Sequence, residues 1–337
     1  MSAKQKIIPL FIPHLGCPHD CVFCNQKRIS GSLLPARAED VSESVEKALA
    51  SIGAGAQLAF YGGSFTALPM EEQNALLDAA EPYLKSGTLS GIRVSTRPDA
   101  VDEEILQNLK AHGVDTVELG VQSMDDEVLR QSGRGHTAAA AVNAAQLVKA
   151  HGFRLILQMM TGLPGSSTEK DMESARRIIA LAPHGVRIYP TVVIRDTALY
   201  DLWQRGSYRE HTVDEAVETC AAILPLFEQA GIPIIRLGLN PSDDLSGGAA
   251  AAGAYHPALG ELVKSRVLLE QLRRRLEGPC PGAALRITVG KGKRSQMIGQ
   301  GRCNVEQLRK EYGFGEISVQ EDPEENGGVL TISLAKS

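Results

Sequence analysis

The chain has 337 residues, 43% of them hydrophobic and 22% charged, with a formal net charge of −5. Such a composition excludes a disordered or fibrous chain, and the length allows one large domain or a large one with a small companion, with a core that needs no disulfide staples. No apolar run approaches the ~20 residues of a membrane span, and the basic-then-apolar start (Lys4 to Pro13) holds two prolines and no small-residue cleavage site, so it reads as a first strand of a cytoplasmic protein with reduced thiols and no membrane partner.

Over the first 240 or so residues, short apolar runs alternate with longer amphipathic ones. Strands are expected at 7–12, 58–61, 92–95, 116–119, 155–158, 186–189 and 234–237. Helices are expected at 40–51, 69–83, 102–111, 137–150, 168–180 and 214–230, with Thr137 and Thr168 placed to begin helices and Gly152 and Gly231 placed to end them. Strictly alternating strands and helices imply parallel pairing through right-handed crossovers. About six such units predict an α/β protein built on an open or closed (β/α)6-type partial barrel. The Gly/Ala-rich stretch Leu245–Gly253 reads as a link or lid, followed by a helix over 257–276 and a small α/β unit. The expected domains are therefore 1–245, a linker with a helix at 246–280, and a basic unit at 281–337.

Three of the six cysteines crowd into Gly16-Cys17-Pro18-His19-Asp20-Cys21-Val22-Phe23-Cys24-Asn25, directly after the first strand. In a reducing compartment, such a cluster points to metal or catalysis rather than to disulfides. Cys17, Cys21 and Cys24, with Phe23 before the last of them, can hold three irons of a 4Fe–4S cluster. The fourth iron is then open to chelate the amino and carboxylate groups of S-adenosylmethionine (SAM). A zinc site completed by His14 or His19 competes with this reading, although no second cysteine pair is present. Cys220, Cys280 and Cys303 are scattered and read as packing or surface residues.

In barrels of parallel strands, chemistry gathers at the C-terminal strand ends, and polar residues recur there. Gly62, Gly63 and Ser64 follow the second strand, where paired glycines let the backbone approach a ligand closely. Ser95 and Arg97 follow the third, Gln122 the fourth, Gln158 and Met160 the fifth, and Tyr189 the sixth. Together they predict one shared pocket. Arg134 can offer a charge-assisted fork to a carboxylate, and His136 reads as a local turn ligand.

At these residues the sequence resembles the radical SAM superfamily, and within it the group that includes the Elongator catalytic subunit. The likeness runs from about Pro9 to Ala230 through Gly62-Gly63-Ser64-Phe65-Thr66, Thr96-Arg97-Pro98-Asp99, Gly120-Val121-Gln122-Ser123, Arg134-Gly135-His136-Thr137, Met159-Met160-Thr161-Gly162-Leu163-Pro164-Gly165 and Ile188-Tyr189-Pro190-Thr191. More distantly, the chain is similar to oxygen-independent coproporphyrinogen oxidase. The resemblance implies a partial β/α barrel, a 4Fe–4S cluster, SAM as source of a 5′-deoxyadenosyl radical, and an electron donor such as flavodoxin or ferredoxin. It makes Gln122 and Gln158 candidates for the nucleoside end of SAM. The cysteine spacing departs from the Elongator type, and too few residues follow the barrel for an acetyltransferase domain.

From Gln271 to Glu311 ten basic residues face three acidic ones, a surplus of seven positive charges against minus twelve elsewhere. The expected β-α-α-β-β order, with Gly299 and Gly301 in a loop between two helices, is similar to a KH domain. That likeness implies RNA contacts from Lys291, Lys293, Arg294 and Arg302, although Arg302 stands where the loop's second glycine is expected. The leading functional expectation is radical modification of a base in RNA, with tRNA the first candidate. The alternatives are a radical SAM enzyme for a small molecule such as a tetrapyrrole or metabolite, and a cluster-containing RNA-binding module without turnover.

Overall fold

The computed structural model describes residues 6–12, 21–25, 36–241 and 245–335. Cys17 and the candidate zinc ligands His14 and His19 lie outside the described residues. Seven strands form one parallel sheet: β1 (Ile7–Ile12), β2 (Ala56–Gly62), β3 (Leu89–Thr96), β4 (Val114–Gln122), β5 (Arg154–Thr161), β6 (Gly185–Pro190) and β8 (Ile234–Leu237), in the order β1-β2-β3-β4-β5-β6-β8. All six neighbouring pairs are parallel.

The intervening helices are α1 (Ala38–Ile52), α2 (Met70–Lys85), α3 (Glu103–Ala111), α4 (Asp126–Gln131), α5 (Ala138–Ala150), α6 (Thr168–Ala180), α7 (Ala198–Gln204) and α8 (Val213–Gln229). Side-chain caps fix several starts: Asp102 accepts from Ile105 N, Asp125 from Val128 N, Thr137 from Ala140 N, and Ser167 from Lys170 N. The helix begins at Thr168 as expected, and the hydroxyl that caps it is that of Ser167, one residue earlier.

Alternation along the strands gives the sheet two different faces. Leu58, Phe60, Ile92, Val94, Val117, Leu119, Leu155, Leu157, Val186 and Ile188 are buried, as expected for strands covered by helices. The other face carries Tyr61, Arg93, Ser95, Glu118, Gln158, Met160, Arg187 and Tyr189. Tyr61 on β2 reaches Arg187 on β6 across 2.8 Å. In a flat sheet those strands would stand roughly 19 Å apart, four spacings of ~4.8 Å, so the sheet curls and this face is concave.

The Gly/Ala-rich stretch does not behave as a plain linker. A π-helical turn at Leu245–Ala249 leads into β9 (Ala250–Gly253), which pairs antiparallel with β7 (Val192–Ile194). Gly253 has φ +90° and passes so close to β7 that a Cβ would lie 2.9 Å from Thr191 O. The pairing therefore depends on glycine there.

The chain divides into two compact units, 1–212 with 226–255, and 213–225 with 256–337. The 246–280 segment is shared between them. β9 belongs to the first, and α9 (Leu259–Arg273) belongs to the second, where Leu268, Leu269 and Leu272 join the core of Leu285, Ile287, Val289, Met297, Leu308 and Phe314. The second unit continues with β10 (Ala284–Gly290), α10 (Arg294–Ile298), α11 (Cys303–Tyr312), β11 (Glu316–Asp322) and β12 (Val329–Ala335). Its sheet order is β11-β10-β12, parallel on one side of β10 and antiparallel on the other.

Candidate active site

Cys21 is 8% exposed and sits against the ends of β3 and β4. The Arg134 guanidinium donates to its sulfur from 3.2 Å, to His136 Nε2 from 3.3 Å, and to Gly120 O. Arg97 stands 3.9 Å from the same sulfur through Nη1, grips Asp99 with two bonds of 2.9 Å, and donates to Arg134 O. A planar guanidinium can serve several acceptors from one fixed fork. Two of them thus face the Cys21 sulfur with positive charge.

Burial first, and then Arg134, pushes His136 down to about 4. The ring is therefore neutral near pH 7. Because Nε2 accepts from Arg134, Nδ1 carries the proton toward Thr137 O, 3.2 Å away.

Backbone bonds anchor the cysteine loop. Val22 N donates to Ser132 O at 3.1 Å, Leu199 N to Val22 O at 2.7 Å, and Cys24 N to Cys21 O at 3.0 Å. Val22 and Phe23 pack against Val193, Leu199 and Tyr208, so the aromatic residue before Cys24 is a packing anchor. Asn25 Nδ2 donates to Arg195 O at 3.3 Å and to Asp196 O at 3.2 Å.

The remaining candidates line the strand ends. Gly62 has φ +96°, and Gly63 N donates to Ile12 O at 2.9 Å. Ser64 is buried before a short 3-10 turn, Phe65–Ala67. Gln122 ends β4 in the left-handed region, at φ +68°. It is 9% exposed, and its Oε1 has no hydrogen-bond donor among the described residues. Met160 and Tyr189 are register partners and half-buried.

Below that rim lies a group of residues that, Gln158 apart, sequence reasoning did not single out. Glu118 is fully buried and receives five bonds: Arg93 Nη1 at 2.5 Å, Arg187 Nε and Nη2 both at 3.0 Å, Gln158 Nε2 at 3.0 Å and Tyr61 OH at 3.3 Å. Burial alone would raise its pKa, but Arg187 and Arg93 outweigh burial and hold the carboxyl below its ordinary range. Gln158 is thereby tied to Glu118, one layer deeper than the rim. The available signal was the charge itself, since Arg93, Glu118 and Arg187 interrupt otherwise apolar strands.

Asp171 was also not anticipated. It shapes the turn after β5 by accepting from Gly162 N at 2.9 Å and Ser166 Oγ at 2.5 Å, and burial pushes it up to about 6.

In the second unit, the glycine loop has left-handed backbone at Gly301 (φ +58°) and at Arg302 (φ +67°). Arg302 thus adopts a conformation that glycine takes without strain. At Gly299 (φ +80°) a Cβ would lie 2.6 Å from Cys303 Sγ. Arg294 donates to Val319 O at 3.0 Å; Lys291, Arg294 and Arg302 are exposed and Lys293 half-buried.

The basic surplus is offset locally. Glu270 and Glu311 flank Arg273, and the parallel register of β10 with β11 sets Glu321 opposite Val289 and Asp322 opposite Gly290.

Comparison with known proteins agrees with this geometry. A model of the radical SAM superfamily matches residues 11–178, and a model of the radical SAM C-terminal domain matches 183–268. The chain is 31% identical over 226 residues to Elongator complex protein 3 of mouse, and 34% identical over 185 residues to that of Schizosaccharomyces pombe. The first match covers 61% of this chain and 40% of the relative; the second covers 49% and 34%. The chain therefore spans about two-fifths of the length of such relatives or less. Among solved structures, the archaeal Methanocaldococcus infernus Elp3 superposes with a TM-score of 0.65 at 24% identity, covering 81% of this chain and 65% of that one. SuiB of Streptococcus suis bound to S-adenosylmethionine superposes with a TM-score of 0.51 at 14% identity, covering 73% and 50%. Both likenesses concern the fold.

Proposed function

Because the chain belongs to the radical SAM superfamily and is an enzyme of that class, we propose that it modifies a base in RNA, with tRNA the first substrate to test. The superfamily uses a 4Fe–4S cluster and SAM, and the residues present fit both. The observation that carries the reading is the Cys21 sulfur, faced by Arg134 and Arg97 above a curled parallel sheet. The orphaned Oε1 of Gln122 at the end of β4 is a buried acceptor that a bound ligand's donor would complete.

Cys17, Cys21 and Cys24 would hold the cluster, and the Gly62–Ser64 turn and Gln122 would hold SAM. When bound, the two supply one-electron cleavage of the sulfonium bond and a carbon-centred radical. The chain's own part is positional. Arg134 ties Cys21 to the end of β4, the Phe23 cluster fixes the loop above it, and Glu118 pins β3, β4, β5 and β6 beneath. Electrons would come from a small donor such as flavodoxin or ferredoxin.

Similarity to Elongator complex protein 3 over 226 residues supports RNA as substrate, as does the glycine loop with Lys293 and Arg302 in the second unit. A small-molecule substrate is the second reading, favoured by the acidic residues of β11 beside the basic stretch. The test is anaerobic incubation of reduced, reconstituted protein with SAM and small RNA from a strain lacking the gene, followed by mass analysis of the nucleosides. One nucleoside should change in mass. An unchanged digest with steady SAM consumption assigns the enzyme to small molecules.

No helix among the described residues is long and apolar enough to cross a membrane.

A further inference from the structure

The charges on the concave face do not balance. Arg93 and Arg187 share the single carboxylate of Glu118, whose two oxygens already receive five donors. A carboxylate offers about four lone-pair directions, so Glu118 has no capacity left for another cation.

A third guanidinium stands on the same face. Arg236 on β8 is the register partner of Arg187 on β6, and the charges of both act on the Tyr189 phenol. Arg236 uses Nε to hold Gly238 O at 3.1 Å, and its two terminal nitrogens have no acceptor among the described residues. Arg187, Arg236, Tyr189 and Tyr61 are all half-buried and open to the concavity. Among the described residues the face thus carries more cations than anions, Arg93, Arg187 and Arg236 against Glu118 and Asp115, the latter joined to Arg93 through Gln57, and Arg187 and Arg236 lie partly desolvated one layer below the rim where Cys21 sits. Charges withdrawn from water call for a counter-charge.

We propose that Arg187 and Arg236, with the Tyr189 hydroxyl, form a binding site for an oxyanion carried by the substrate, a phosphate or a carboxylate. The inference rests on the reading of the concave face as the substrate chamber. On the RNA reading, the group is a nucleotide phosphate. The competing source of the same chemistry is the carboxylate of SAM.

Binding to the reconstituted full chain without reductant separates these sources. Titration calorimetry with uridine 5′-monophosphate, uridine, inorganic phosphate and SAM is run on the parent protein, Arg236→Gln and Arg236→Lys. The nucleotide should bind at least about tenfold more tightly than the nucleoside, as expected for charge-assisted bonds to a phosphate. Inorganic phosphate should compete with it. Arg236→Gln should abolish the preference, Arg236→Lys should keep part of it, and SAM affinity should hold in both.

Equal affinity for nucleotide and nucleoside, no binding of either, or a preference that survives Arg236→Gln overturns the proposal. Loss of SAM affinity in Arg236→Gln reassigns the site to the cofactor and overturns it as well. A phosphate preference that holds while small RNA remains unmodified leaves this site standing and removes the RNA reading.

Discussion

Glu118→Gln is the perturbation that bears most heavily on the barrel. The amide keeps the shape of the side chain but removes the one anion between Arg93 and Arg187, and it turns an NH2 toward donors that now bond Oε2, namely Arg187 Nε and Gln158 Nε2. Gln158 can rotate its own amide to compensate; the guanidinium cannot. Breaking a buried ion pair from one side costs about 3–5 kcal/mol, a large fraction of a typical stability of roughly 5–15 kcal/mol.

The pH dependence has a fixed sign. The folded pKa of Glu118 lies below its unfolded value, so its contribution is present above about pH 4.3–4.5 and is lost as pH falls through the lower folded value. Urea denaturation followed by circular dichroism from pH 7 to pH 3 should show the variant weaker by several kcal/mol at pH 7. The gap should narrow in acid. A loss below about 1 kcal/mol at pH 7, or a gap independent of pH, would refute the reasoning.

Four further outcomes are expected. Arg134→Lys replaces a fork serving Gly120 O, His136 and Cys21 with a single ammonium, so iron incorporated on anaerobic reconstitution, read by metal analysis, should fall severalfold. Gly162→Ala puts a Cβ 2.2 Å from the His211 ring at φ +70°. It should cost about 2–4 kcal/mol in denaturant, whereas Gly206→Ala, also at φ +70° but in open space, should cost about 1 kcal/mol. Asp171 is held protonated up to about pH 6, so its contribution to folding is full below its unfolded pKa and lost as pH rises through about 6. Asp171→Asn should therefore gain on the parent protein by up to about 3 kcal/mol between pH 4 and pH 7. Lys293→Ala with Arg302→Ala should weaken RNA binding and lower the salt slope by about 2, measured by filter binding across salt concentrations; an unchanged slope removes the second unit from RNA contact.

The apolar centres of all seven barrel strands were legible, because Leu58–Tyr61 or Leu155–Gln158 can be little else in a strand-helix alternation. The cysteine spacing was legible for a different reason, since three thiols within eight residues have few structural uses. The concave face was not. Glu118 makes sense only beside Arg187, 69 positions away in the chain, and a charge inside an apolar strand reads as noise until the sheet curls. Composition misled at Ala250–Gly253, where small residues suggested a loop but allow a close strand pairing. The local offset of the basic stretch was hidden by distance in sequence, because β11 brings Glu321 and Asp322 back beside it.

The most direct test of the central claim is 5′-deoxyadenosine release from SAM by the reduced, anaerobically reconstituted full chain, with and without small RNA from a strain lacking the gene, and with Cys21→Ala alongside. The account predicts release that RNA stimulates and that Cys21→Ala abolishes. Failure of the protein to release 5′-deoxyadenosine with its iron fully incorporated and RNA present would contradict it.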